Sequence, residues 1–394
     1  MAALPFDIEE YQRRWRRAEA EMARRGHAAA VVWGRSNQTY DRCGDVLYLT
    51  NYYCPECPPD TAAWHAWGYY AVILAPGETP ELVTDDADDR TAHLATDRIS
   101  RSRDPVRDVA DRLAARGIDG PVALVGADIL PFKYGRELMA ASPGVDWRED
   151  DGLIRAVRRV KSPAERDLMR EGGHNAGAAL DVMMKALVAG RSERDAVAEA
   201  VGTLYRGGSQ GSFISANHGD TIDYWCRDPL IGRSADAPAA GDFVRGWMDS
   251  TYHGYWFDPG RTAIAGGRAT AEQIRLVEDC ATIVEGVMDA IRPGARTAAI
   301  ARIGEDLVAR VGGTDGGVSA CYAAFAHGIG LYWEPPYIGR ATDDGDSEIV
   351  AGMAFGVEYF LTREGVGTVG IEENFIVGEE ANESLTGLPL VGAW

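Results

Sequence analysis

The chain lacks long apolar runs. No stretch of its 394 residues reaches the roughly 18–20 apolar positions a membrane span needs. The N-terminus, Met1-Ala-Ala-Leu-Pro-Phe-Asp7 and then charged residues, has no secretory signal pattern, so a cytoplasmic protein with no membrane partner is expected. Positive charge is scarce. Lys and Arg number 40 against 60 Asp and Glu, giving a net charge of −20 and a pI near 4.8. Such an acidic chain is a poor partner for nucleic acid or an anionic lipid surface. The basic cluster Arg13-Arg14-Trp15-Arg16-Arg17, with Arg24 and Arg25, reads as the solvated face of one helix. Cysteine is sparse too: six residues, scattered. Cys54-Pro-Glu-Cys57 has CxxC spacing, but no second CxxC completes a zinc site, and both read as reduced loop or core thiols. No internal repeat is visible.

What is present fits two domains, each able to bury its own core. In residues 1–155, Ile8 to Arg25 forms a helical stripe with Tyr11, Trp15, Ala18 and Met22 on one side. Strands are expected at Ala28–Trp33, Val46–Thr50, Tyr69–Leu74 and Val122–Val125, with a helix over Arg107–Arg116. This alternation predicts a small α/β domain. In residues 156–394, Ser162, Pro163 and Glu165 carry the start signals of a helix running toward Gly190. Thr270 and Gln273 open a second helix, which stops at Arg292-Pro293-Gly294, and Thr297 starts a third. With the long strands between them, this half reads as α+β.

Five potential metal ligands lie in those strands: Asp249, Asp258, His327, Glu358 and Glu372. Around His253-Gly254, strand formers on both sides predict a two-residue turn. Tyr252 then faces Tyr255, Thr251 faces Trp256, Ser250 faces Phe257, and Asp249 faces Asp258. Two opposed carboxylates repel unless a cation lies between them; the alternative is a solvent-facing hairpin with two exposed acids. His327 stands in the small-residue run Ala326-His-Gly-Ile-Gly-Leu331, where a ligand histidine and an ordinary core histidine are both readable. Glu358 and Glu372 interrupt apolar strands, and Glu is seldom buried alone. Gly365-Val-Gly367 offers a turn between them, off-centre for the pair. Four carboxylates and one imidazole suit manganese, iron or cobalt better than zinc.

These segments resemble the creatinase, aminopeptidase P and prolidase family, the pita-bread metallopeptidases. The resemblance covers most of the chain. It is carried by Gly241-Asp242, Gly254-Tyr255 before Asp258, Arg261-Thr262, His327-Gly-Ile-Gly-Leu331, Gly352-Met353 through Glu358, and Ile371-Glu372. It implies a C-terminal pita-bread domain behind a smaller α/β creatinase-type domain, and a homodimer in which Trp64 and Trp67 approach the partner's pocket. It also implies two divalent ions held by Asp249, Asp258, His327, Glu358 and Glu372, with Glu358 shuttling a proton.

Three departures modify that expectation. Counting back from Gly254-Tyr255, the family's first Asp falls on Trp247; Asp249 requires a hairpin two residues shorter, which preserves the face. Trp247 cannot ligate and is expected to matter only through packing. No His accompanies Glu334-Pro335, where Tyr332 and Trp333 stand instead. The family's upstream substrate His matches either His218, a catalytic candidate here, or Tyr224-Trp225. Tyr224, Trp225, Tyr332 and Trp333 belong to an aromatic tract that divides between core packing and a wall for a small substrate with an apolar or cationic part. The expected activity is metal-dependent hydrolysis of a C–N bond in a small Xaa-Pro-like molecule. The alternatives are a creatinase-like amidinohydrolase, a dimethylsulfoniopropionate-lyase-like enzyme or a non-catalytic binding protein.

Overall fold

The computed structural model describes residues 4–35, 44–54, 65–85, 93–222, 234–315, 324–339, 345–392 and 394. Two units divide at Arg159/Val160, just beyond α5, whereas the sequence boundary after residue 155 falls inside that helix.

The first unit runs α1 (Ile8–Arg25), β1 (Ala29–Arg35), α2 (Gly44–Thr50), β2 (Tyr69–Leu74), β3 (Glu81–Thr84), β4 (Ile99–Arg101), α3 (Pro105–Arg116), β5 (Pro121–Val125), α4 (Phe132–Ala141), β6 (Asp146–Glu149) and α5 (Gly152–Arg158). Its mixed sheet has the order β4-β3-β2-β1-β5-β6. Tyr11, Trp15, Ala18 and Met22 of α1 are buried, as their helical spacing predicts. Arg14 is also buried, against the solvated-face reading of the basic cluster. Its guanidinium bonds Glu10 at 3.0 Å and lies 4.3–5.1 Å from the ring centres of Tyr48, Phe6 and Tyr11. The expected strand Val46–Thr50 is instead the helix α2. A short apolar run does not by itself separate strand from helix. Here α1 side chains decide it: Arg14 donates to the Tyr48 carbonyl and the Trp15 indole to that of Leu49, satisfying carbonyls that a helix C-terminus leaves open. Cys54 is buried; Cys57 and Trp64 lie outside the described residues.

The second unit runs α6 (Pro163–Val188), α7 (Glu193–Arg206), β7 (Gln210–His218), β8 (Phe243–Tyr252), β9 (Tyr255–Phe257), β10 (Gly260–Ile264), α8 (Ala271–Ala290), α9 (Thr297–Val311), β11 (Thr314–Asp315), β12 (Ala324–Ile329), β13 (Trp333–Gly339), β14 (Ala354–Arg363), β15 (Gly367–Ile376) and β16 (Glu383–Ser384). Capping boxes at Ser162/Glu165 and Thr270/Gln273 open α6 and α8 as expected. The sheet order is β13-β12-β14-β15-β10-β8-β7, with β9 on β8, β11 on β14 and β16 on β15.

Side chains alternate across this sheet, so register decides what each face carries. Val357, Tyr359, Ile371 and Phe375 pack with Cys280, Ile283, Val284 and Val287 of α8. Val244 and Met248 of β8 pack with Met183 and Met184 of α6. The opposite face carries one row across four strands: Trp247 pairs Gly260, Gly260 pairs Glu372, and Glu372 pairs Glu358. His327 pairs Gly356, and Gly356 pairs Asn374, in the adjacent row. Burying one face under helices therefore collects the acids on the other.

Candidate metal centre

The β8–β9 turn takes the anticipated form. His253 and Gly254 have φ of 48° and 86°, the pair of positive values a two-residue hairpin turn requires. Tyr252↔Tyr255, Thr251↔Trp256 and Ser250↔Phe257 pair as predicted. Asp249 and Asp258 follow at the open end, both buried, so the exposed-acid alternative fails. The β14–β15 turn also brings Glu358 opposite Glu372, and it is centred on Gly365, closed by Arg363↔Gly367, so it is symmetric about the pair after all.

Three donors converge. Asp258, His327 and Glu372 bring ligand atoms within 4.8 Å of one another, and all three residues are buried. His327 Nε2 lies 3.6 Å from Asp258 Oδ2 and 3.5 Å from Glu372 Oε1. His327 Nε2 and Glu372 Oε1 are buried atoms with no hydrogen bond. Buried polar atoms are normally paired, and an imidazole nitrogen facing two carboxylate oxygens fits a divalent cation. Gly356 makes the approach possible: a Cβ there would sit 2.9 Å from both His327 Cε1 and Glu372 Oε1.

A shell of N–H donors holds the acids. Asn374 grips Asp258 twice, donating Nδ2–H to Oδ1 at 2.8 Å and accepting the Asp258 backbone N–H at 2.9 Å. Asp258 Oδ2 accepts the indole N–H of Trp256 at 2.9 Å and of Trp333 at 2.5 Å. Glu372 Oε2 accepts the indole N–H of Trp247 at 3.0 Å. Trp247 therefore does more than pack. The sequence reading missed Asn374, although a polar residue two positions beyond Glu372 in an apolar strand marks the same face. The indole donors had no sequence signal, because an aromatic tract does not show which rings aim their N–H at an acid.

Electrostatics reflect the crowding. Burial, reinforced by the Asp258 charge, pushes the Glu358 carboxyl up to about 8. Burial and the charges of Asp258, Glu358 and Asp249 raise Glu372 well above the usual carboxylate range. Asp249 and Glu358 thus act on the triad through space, while standing outside the group of three converging donors. His218 is not brought to them. It pairs Val244 while Asp249 pairs Phe213, five residues away or roughly 16 Å along the strand, and its Nδ1 bonds Glu193 at 2.8 Å. Trp333 lines the triad, its ring 5.3 Å from His327, and Tyr332 stacks on Trp333 at 5.5 Å. Tyr224 and Trp225 lie outside the described residues.

The model of metallopeptidase family M24 matches residues 167–379, which hold every strand of this site. The chain belongs to metallopeptidase family M24. Among similar sequences, a probable dipeptidase PepE of Mycobacterium bovis is 30% identical over 282 residues, 68% of this chain and 69% of the relative. An Xaa-Pro dipeptidase of Lactobacillus delbrueckii subsp. lactis is 27% identical over 293 residues, 72% of this chain and 76% of the relative. The crystal structure of dipeptidase PepE from Mycobacterium ulcerans superposes with a TM-score of 0.76 at 25% identity, covering 98% of this chain and 97% of that one. The prolidase from Pyrococcus horikoshii OT3, at 16% identity, shares the fold with a TM-score of 0.76 over 96% of this chain and 99% of its own. The pita-bread architecture, with its α/β N-terminal domain, is therefore the fold of this M24 member.

Proposed function

We propose that this chain is a divalent-metal-dependent hydrolase that cleaves the C–N bond of a small, dipeptide-like amide. One observation carries the reading: His327 Nε2, Asp258 Oδ2 and Glu372 Oε1 face one another in a buried site with no hydrogen bond at the imidazole nitrogen. The dipeptidase names of the relatives support the bond type. A bound ion would supply Lewis acidity at the scissile carbonyl and at an attacking water. Asp258, His327 and Glu372 would hold it. Of the two acids outside the triad, Asp249 and Glu358, it is Glu358 that stands directly opposite Glu372, and it would accept a proton from water and return it to the leaving nitrogen. Oxygen-rich ligation with one imidazole favours manganese, iron or cobalt.

Trp256, Tyr332 and Trp333 shape the substrate. Trp256 and Tyr332 meet edge to face at 4.8 Å, and the half-buried Trp333, stacked on the half-buried Tyr332, presents aromatic surface beside His327. Such a wall receives an apolar or cationic group. It does not supply the donor expected to hold a peptide's developing charge, whose loss typically costs roughly 10²–10³ in rate. The test is to strip the protein with a chelator, restore manganese, and assay Gly-Pro, Ala-Pro, Leu-Pro and a panel of small amides. Metal-dependent turnover of a small amide with slow Xaa-Pro cleavage supports the reading. Xaa-Pro turnover of about 10 per second would show intact peptide handling and overturn the substrate assignment. Chelator-insensitive activity would overturn the metal dependence.

A further inference from the structure

Resting on the metal-dependent reading of this site, we infer that the chain holds one divalent ion, at Asp258, His327 and Glu372, and that Trp247 occupies the place a second ion would need. A second ion beside the first would need carboxylate oxygens of its own, and the acids already at the triad are Asp258 and Glu372. Each turns one oxygen toward His327: Oδ2 at 3.6 Å and Oε1 at 3.5 Å. Glu372 leaves Oε1 without a hydrogen bond and gives Oε2 to the Trp247 indole. Asp258 accepts donors on both oxygens, Oδ1 from the Asn374 amide and Oδ2 from the Trp256 and Trp333 indoles. The contrast between a metal-facing and a blocked oxygen thus lies at Glu372. A donor hydrogen puts positive charge where the second cation would put its own, and the indole nitrogen has no lone pair to offer a metal.

The Trp247 indole is built into this position. Trp247, Gly260 and Glu372 form one row across β8, β10 and β15, so the indole reaches Glu372 by lying over Gly260. A Cβ on Gly260 would collide with Trp247 Nε1. The ring is fully buried and stacks on Phe360 at 5.2 Å and 25°. Asp249, the acid expected to draw a second ion, stands two residues further along β8, roughly 7 Å from that row. It is not among the three converging donors. The two ions implied by the sequence resemblance thus become one.

Metal-stripped protein is dialysed against rising free Mn²⁺, and bound manganese per chain is measured together with its electron paramagnetic resonance. The expected result is one Mn²⁺ per chain, well past half-saturation, with the signal of an isolated ion. Two Mn²⁺ per chain with an exchange-coupled signal would overturn the inference and leave the metal-dependent reading standing; no bound Mn²⁺ would overturn both. Trp247→Asp should admit a second Mn²⁺ and produce the coupled signal. A folded Trp247→Asp that still binds one would show that Trp247 does not close the second position. Because a buried Trp→Asp change can unfold the chain, the indole itself gives an independent measurement. In wild-type protein saturated with diamagnetic Mg²⁺, the Trp247 N–H proton, assigned with Trp247→Phe, should remain protected from exchange. Loss of that protection on loading would overturn the assignment.

Discussion

Glu358 and Glu372 face each other directly across the β14–β15 ladder, both buried and both with carboxyl groups raised in pKa. A pair so placed is stable only when protons or a cation offset its charge. Glu358, ordinarily near 4.5, is held at about 8. The folded metal-free protein therefore keeps a proton that the unfolded chain releases. Its contribution is fully present below pH 4.5 and lost as pH rises through about 8, so the stability of the stripped protein should fall across that window. Urea unfolding of chelator-treated protein at a series of pH values checks this. Glu358→Gln should flatten the fall, and a wild-type profile already flat would contradict the electrostatic description.

Metal uptake should release protons for the same reason, since ligating carboxylates must be deprotonated. Titrating Mn²⁺ into stripped protein at neutral pH, in two buffers of different ionisation enthalpy, should give apparent heats that differ by the proton count. Identical heats would mean that the acids are already ionised before the ion arrives.

Asn374 holds Asp258 by its side chain and its backbone together. Asn374→Ala should leave the fold intact while weakening manganese binding about 10–100-fold, the usual cost of removing an outer-shell partner. Equilibrium dialysis measures the affinity and circular dichroism the fold; an unchanged affinity would show that Trp256 and Trp333 orient Asp258 without it.

At Gly356 the expected effect is steric. An alanine methyl would press on His327 and Glu372 at once, and the β14 backbone cannot yield without breaking its pairing with β12 and β15. Gly356→Ala should cost about 1–3 kcal/mol of stability, as overpacking does, and lose most bound metal. Thermal melts of the stripped and loaded protein separate the two losses; a loaded variant that melts like wild type would count against the steric argument.

Lys161 and Glu334 form a buried ion pair beneath the start of β13, each about 2% exposed. Removing one partner strands a buried charge, so Lys161→Met should destabilise the protein by about 3–5 kcal/mol. Adding Glu334→Gln should restore part of that. A double variant no more stable than Lys161→Met, by urea denaturation, would place the cost in packing and not in the stranded carboxylate.

The sequence by itself determined the local elements whose signals are short-range. Ser162 and Thr270 start helices because their side chains cap the neighbouring backbone N–H groups. His253-Gly254 fixes the β8–β9 register because a two-residue turn leaves no choice of partner. Acids inside apolar strands marked the face that carries Glu358 and Glu372, and the hairpin register marked Asp258. Only the tertiary structure decided the rest. Val46–Thr50 became a helix because Arg14 and Trp15 of α1 hold its last carbonyls. His327, Asp258 and Glu372 met because strand order places β12 beside β14 and β15 beside β10, a non-local pairing that no window of sequence encodes. His218, a candidate by residue type, came to rest against Glu193. Trp247 became a donor to Glu372 because Gly260, thirteen residues along the chain, is its ladder partner and leaves the indole room to cross. Residue type proposes a ligand or a donor, and register, with the space left by a neighbouring glycine, settles which atom it reaches.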